Sequence, residues 1–415
     1  MPVLSAYRQV LSEPGAAAFS ATGFLARLPI SMVTLGIVLM VSAETGSYGL
    51  AGGISAAFVV ASSLAALLQG RLIDRLGQRP VLLPAIALCS LSLSLLAWAV
   101  EAGHRVPLPH VLAAVAGATM PAVGAAVRAR WTHALANPSE RQTAFALEAV
   151  VDELVYLLGP PLATVLATTV QPAAGLVAAI VTGLVGTLLF CSLRATEPPA
   201  HPVHSESGAR TSMPWLQLVP LALICLAMGG VFGSTEVVTV AFAEDLGEKS
   251  IAGALLSLWA LGSLVAGFAT GAVSWRNTPA ARMRLGVVAF TVLMAPTPLV
   301  GGAVAMGVLL FLAGFAIAPT LIAAVSFVEQ TVPARRLTEG IAILTTTIAA
   351  GIAPGAAVAG VVIDAHGPHA AYLVPVCSGL IGVVAAVATR RGRSIGSSRD
   401  DVDELVATGD GPPDA

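Results

Sequence analysis

Apolar residues run along this chain in long blocks, not in alternation. The blocks lie near 17–42, 48–70, 81–100, 109–128, 144–168, 172–193, 215–242, 250–273, 284–300, 303–328, 338–362 and 369–389. A bilayer core about 30 Å thick takes about 20 residues of helix. Membrane-spanning β-strands run only ~10 residues and alternate strictly, because a closed barrel presents one face to lipid and one to its lumen. Length and pattern therefore predict an all-α polytopic membrane protein with twelve transmembrane helices. The ninth and tenth blocks are separated only by Pro296, Pro298 and Gly301–Gly302, which makes that division the tightest in the chain.

Polar segments divide the blocks into two sets of six. The longest, RATEPPAHPVHSESGARTSMP, follows the sixth block. The expected organisation is an N-terminus over 1–15, a six-helix bundle over 16–194, a linker over 195–214, a second six-helix bundle over 215–389 and a solvated, disordered tail over 390–415. Lys and Arg gather on the cytoplasmic side of membrane proteins. With the N-terminus in the cytoplasm, 18 of the 21 basic residues fall on that side, Arg105 and Lys249 fall outside, and Arg27 lies within the first helix. Both termini are then cytoplasmic, in a bacterial cytoplasmic membrane.

Composition agrees. Hydrophobic residues make up 56% and charged residues 11%, with a net charge of −2, far from the ~25% charged residues of a soluble domain. This excludes a nucleic-acid binder driven by bulk charge and a soluble enzyme. The four Cys lie in apolar blocks with no CxxC spacing, so they read as small buried hydrophobes, with neither a disulfide framework nor a metal site. The seven His are expected between the blocks. No cofactor is implied, and no GxxxxGK[ST] phosphate loop is present.

The halves resemble one another. A shift of 201 lays residues 50–75 on 251–276 without a gap and matches Ala51 with Ala252, Gly52 with Gly253, Ser62 with Ser263, Gly70 with Gly271 and Arg75 with Arg276. The turn after the second block reads Gly70-Arg71-Leu72-Ile73-Asp74-Arg75-Leu76-Gly77-Gln78-Arg79. Gly70 is expected to let helices approach, and Gly77 to permit the turn.

This G-x-L-x-D-R-x-G-x-R loop resembles the signature loop of the major facilitator superfamily of secondary transporters. Twelve helices, the division into sixes, the central linker and the repeat fit the same family over residues 15–390. The resemblance implies alternating access between two rocking halves. It also implies that Asp74 latches them, with Gly70, Arg75, Gly77 and Arg79 in the loop and Arg128 or Arg130 as its partner on the fourth helix. The second copy of the loop is degraded, since Asp74 falls on Trp275. Gly159-Pro160 on the fifth helix is a partial match to the family's antiporter pattern.

Ionisable groups inside a span mark function by default. Arg27 on the first helix and Asp152 and Glu153 on the fifth sit at similar depth, so an intramembrane ion pair is expected. Glu148 joins Asp152 at i, i+4 spacing. The acids there outnumber the base, which leaves negative charge that a proton could neutralise; a static pair is the competing reading. Glu236 on the seventh helix is expected toward the outer third, either as a proton or cation-substrate site near the outer gate or as an interfacial carboxylate facing an outer vestibule. Phe24, Ser31, Met120, Pro121, Phe232, Phe311, Phe315, Thr320, Thr346 and Thr347 are candidates for a substrate cavity, with plain helix packing as the alternative. Gly351-xxx-Gly355 is expected to let rocking helices slide.

The function this predicts is proton-coupled efflux of a small organic solute by a monomer in the bilayer. The alternative is uptake of a polar or anionic metabolite with Arg27 as counter-charge. A membrane sensor or scaffold is the remote third reading.

Overall fold

The computed structural model describes residues 2–104, 106–200, 213–272, 277–332 and 337–388. The tail, most of the linker and Trp275 lie outside them. A short helix, Pro2–Leu11, precedes the membrane region. Span 1 is Ala16–Thr45, built of two pieces that meet at Leu28 because Pro29 opens the second. Span 2 is Tyr48–Leu76, span 3 Gln78–Glu101, span 4 Leu108–Ala134, span 5 Pro138–Thr169 and span 6 Ala174–Ser192. Span 7 is Trp215–Asp245, span 8 Ala252–Ala272, span 9 Pro279–Met294 and span 10 Ala303–Thr331. A continuous helical stretch, Leu337–Ala371, is broken at Gly367 (φ 81°); its part before the kink is span 11, and Leu373–Ala388 is span 12. Every element is helical among the described residues.

Large apolar side chains such as Leu64, Leu223, Val304 and Val384 face outward, as lipid-facing positions must. Of the four Cys, Cys89, Cys191 and Cys225 are buried, while Cys377 is exposed on this outer surface. His110, expected between blocks, sits in the first turn of span 4 against Gly53.

The internal repeat is visible in the packing. A Cβ at Gly117 in span 4 would lie 2.1 Å from the Phe58 carbonyl oxygen of span 2. A Cβ at Gly314 in span 10 would lie 2.2 Å from the carbonyl oxygen of Trp259 in span 8. The 201-residue shift carries Phe58 onto Trp259. Gly52 faces the carbonyl of Ala356 in span 11 and its repeat mate Gly253 that of Pro160 in span 5; a Cβ at either would lie 2.6 Å from the carbonyl oxygen. The two halves therefore touch along two related seams, span 2 with span 11 and span 5 with span 8.

Two glycine expectations change. A Cβ at Gly70 would find nothing within 4 Å, because span 2 runs straight on to Leu76 before Gly77 (φ 90°) turns the chain into span 3. Gly70 allows no close approach here. Gly351 and Gly355 do pack tightly, since a Cβ there would lie 1.9 Å from the Leu226 oxygen and 2.3 Å from the Gly230 oxygen, but their partner is span 7 of the same half. They bind that half together and form no sliding surface between halves.

Span 4 is broken at Thr119–Ala122, around Pro121. Free backbone groups inside a bilayer are tolerated only where protein satisfies them. Gln69 of span 2 does so: its Nε2 donates to the carbonyls of Ala118 (3.1 Å) and Met120 (2.8 Å), and its Oε1 accepts from the Ala122 amide (3.1 Å).

Candidate functional site

The N-terminal half carries a buried charge cluster. Arg27 extends from the end of the first piece of span 1, with 1% of its side chain exposed. Its Nη2 donates to Glu148 Oε2 at 2.5 Å, its Nη1 to Asp152 Oδ1 at 2.7 Å and its Nε to the Gly23 carbonyl at 3.0 Å. Glu148 is fully buried, and its other oxygen accepts from Ser20 Oγ (2.7 Å) and Trp131 Nε1 (2.8 Å). Arg128 of span 4 donates to the second oxygen of Asp152 at 2.6 Å. Spans 1, 4 and 5 are thus tied by two arginines and two carboxylates.

The expected pairing of Arg27 with Asp152 is present, with two additions. Glu148 is a full partner, and Arg128 supplies a second positive charge. Two cations now balance two anions, so this cluster lacks the excess negative charge that the sequence implied. Arg27 uses all three donor directions inside protein, which leaves it no face for a solute and removes the ground for its role as a substrate counter-charge. Arg128 is the accessible base of the group, with 40% of its side chain exposed.

Glu153 stands one residue beyond, half-buried, and no cation pairs with it among the described residues. Tyr156 is 49% exposed although it belongs to the middle of span 5. It follows Asp152 by one turn of the same helix. Glu236 itself accepts a 2.7 Å hydrogen bond from Thr34 Oγ1 of span 1. This bond crosses between the halves. No basic group pairs with Glu236 among the described residues.

The loop residues are arranged differently from the expected latch. Asp74 is exposed, and no ion pair involves it among the described residues. Arg128 is committed to Asp152. Arg130 is fully buried; its Nε donates to Gln78 Oε1 (2.8 Å) and its Nη1 to the Leu193 carbonyl (3.0 Å) and Thr196 Oγ1 (2.8 Å). Glu197 Oε1 accepts from the Gln78 and Arg79 amides at 2.8 and 3.0 Å, so a carboxylate sits on the positive N-terminus of span 3. The start of the linker is therefore packed onto the first half and does not hang free. Arg71 and Arg75 are exposed.

Most of the cavity candidates are packing residues. Ser31 donates to the Val155 carbonyl at 2.7 Å, beside Gly159, whose Cβ would lie 1.9 Å from Ser31 Oγ. Thr320 is buried and bonds the Ala316 carbonyl; Thr347 bonds the Ile343 carbonyl. Phe232 stacks edge-on against Trp259, and Phe24 packs partly buried against the core. Phe311 and Phe315 stack on each other, and Phe315 lines an apolar groove of about 200 Å³ with Arg282, Leu285 and Pro319. Met120 lies at the break in span 4, and Thr346 is half-buried in span 11. The residues that hydrogen-bond these acids and escaped the sequence are Thr34, Trp131 and Ser20. Hydroxyl and aromatic residues in a span give no signal until their neighbours are known. Among the described residues no group of His, Cys, Asp and Glu is placed to hold a metal ion.

Comparison with known proteins supplies the frame for this site. No curated protein matches the chain. Among solved structures, a point mutant of the nucleoside transporter NupG superposes with a TM-score of 0.72 at 15% identity, covering 91% of this chain and 100% of that one. A bacterial homolog of the human lysosomal transporter Spinster, in an inward-facing and occupied conformation, gives 0.67 at 13%, covering 92% and 96%. The human organic anion transporter MFSD10 gives 0.61 at 16%, covering 94% and 100%. At such identities these likenesses speak for the fold alone. The sequence adds its own test, since the family model of the Major Facilitator Superfamily matches residues 19–336. With repeat, seams and family match in agreement over most of its length, the chain belongs to the Major Facilitator Superfamily.

Proposed function

We propose that this chain exports a small organic solute across the bacterial cytoplasmic membrane in exchange for protons, with Glu236 as the acid that carries the proton. The observation behind this assignment is the Thr34–Glu236 bond. Glu236 is a membrane-embedded carboxylate without a basic partner among the described residues, and its hydrogen bond reaches the other half. A proton is then the remaining means of neutralising its charge, and gaining or losing that proton alters a contact that motion between the halves must make and break. The balanced cluster at Arg27, Glu148, Asp152 and Arg128 serves as a fixed anchor for spans 1, 4 and 5.

The arginine distribution supports cytoplasmic termini. In that orientation the hydrogen bonds joining the halves lie toward the outside, and Asp74, which has no ion pair among the described residues, lies at the cytoplasmic face. This corresponds to a molecule closed outward, awaiting solute from within. The halves, residues 16–194 and 215–389, would rock about the Tyr156 and Glu236 level.

The test is proton release from detergent-purified protein on addition of a panel of lipophilic cations, sugars, amino acids and organic acids. Ligand-induced release should vanish in Glu236→Gln while ligand binding persists. Release that survives in Glu236→Gln and disappears in Glu153→Gln would move the role to Glu153. Binding without release in the wild type would end the proton assignment. Uptake of an anionic solute is then favoured by the half-exposed Arg128, and Arg128→Gln should abolish binding of that solute.

A further inference from the structure

The end of the molecule far from Asp74 carries a second set of polar contacts between the halves. Asp364, near the close of span 11, meets the first turn of span 2. Its Oδ2 accepts from Ser47 Oγ (2.8 Å) and the Gly49 amide (2.7 Å), and its Oδ1 accepts from the Tyr48 amide (2.7 Å). These are orphan donors of a helix start, and a carboxylate there is held by both hydrogen bonds and the helix dipole. The fit depends on two glycines. A Cβ at Gly49 would lie 2.8 Å from Asp364 Oδ2, and one at Gly360, one turn earlier in span 11, would lie 2.3 Å from the Tyr48 carbonyl oxygen.

Tyr48 joins this contact to another. Its hydroxyl hydrogen-bonds Glu244 at the end of span 7. Lys249 donates at 3.1 Å both to Glu244 and to Ser42 Oγ of span 1, and its ammonium lies 5.8 Å from the centre of the Tyr48 ring. One residue of the first half thus touches three charged side chains of the second.

We propose that Asp364 is the closing latch of this end: by capturing the N-terminus of span 2 it holds Tyr48 against Glu244 and Lys249, and the end opens only when that carboxylate leaves. Asp74 sits at the opposite end, in the last turn of span 2. Span 2 would then be the element secured at either extremity in turn. The latch is modest by construction, since Asp364 is exposed at the aqueous rim, where water competes for its oxygens. A device that opens in every cycle has to be weak in this way.

The chain's single lysine supplies the assay. In the closed form the Lys249 side chain is only 19% exposed. Detergent-purified protein is treated with a sulfonated succinimidyl ester, and the rate of modification at Lys249 is read by peptide mass mapping. Asp364→Ala should raise that rate roughly fivefold, the scale of losing a carboxylate from a helix N-terminus. Asp364→Asn, which keeps the shape and one acceptor, should give a smaller rise, and it serves alone if the alanine variant does not fold. Asp245→Asn is the control, because Asp245 faces His369 within the same half at 3.7 Å. Unchanged rates in both Asp364 variants would overturn the latch, and so would an equal rise in Asp245→Asn, which would mark a general charge effect. The readout is conformational, so it stands or falls separately from the proton role of Glu236.

Discussion

Replacing Arg27 tests whether the buried cluster is a structural anchor. Arg27→Met leaves Glu148 fully buried and without a counter-charge, although Ser20 and Trp131 still donate to it. Asp152 keeps Arg128. Breaking a buried pair from one side costs about 3–5 kcal/mol, and the retained partners place Arg27→Met at the lower end of that range. Glu148→Met should cost more, because Ser20 Oγ and Trp131 Nε1 lose their acceptor as well, at about 1–3 kcal/mol for each orphaned group. The double variant removes both charges together. Its loss should reduce to the two orphaned donors, about 2–6 kcal/mol, against a sum of single effects of roughly 8–14 kcal/mol. The measurement is reversible unfolding in mixed detergent and dodecyl sulfate micelles, followed by far-ultraviolet circular dichroism, for both single variants and the double. A double variant that falls within about 0.5 kcal/mol of the sum would show that the two groups do not act as a unit, and the anchor would be refuted.

Arg27→Lys should resemble Arg27→Met in the same unfolding assay, since one ammonium cannot reproduce a fork aimed at Glu148, Asp152 and the Gly23 carbonyl. Gln69→Leu should lower stability by about 1–3 kcal/mol through the unpaired backbone at the break in span 4; an unchanged melting curve would mean that the break is satisfied otherwise. Gly351→Ala should cost about 1–3 kcal/mol, because the added carbon meets backbone that cannot turn aside. Gly70→Ala, in open space within a helix, should be neutral or stabilising by about 0.5–1 kcal/mol. The reverse order of these two glycine variants would contradict the packing described.

The fold was legible because lipid demands uninterrupted apolar helices of fixed length, and the chain shows them plainly. Even the close ninth and tenth blocks resolved as Pro279–Leu299 and Ala303–Thr331. The Arg27–Asp152 contact was legible for a related reason: charges in lipid need partners, and equal depth on adjacent helices leaves few choices. Arg128 was assigned elsewhere because it reads as the boundary of a helix, whereas span 4 continues to Ala134 and carries it inward. The sequence pattern could not reveal Gln69 or Tyr156. A lone amide or phenol in a span is ambiguous until the break in span 4, or the exposure of the ring, is known. The motion expected of Gly351 and Gly355 failed for a similar reason, since a small-residue face announces close packing without naming the partner.

The two seams between the halves have a further consequence. At Gly52, Gly253 and Gly360 they are made by backbone resting on backbone. Such contact excludes solute and water by shape while engaging little side-chain surface. It behaves like a ground-glass joint: tight when seated, and held shut by the few polar contacts at Asp364 and Tyr48. A carrier that sealed such a seam with interlocking large side chains would have to repack a core in every cycle.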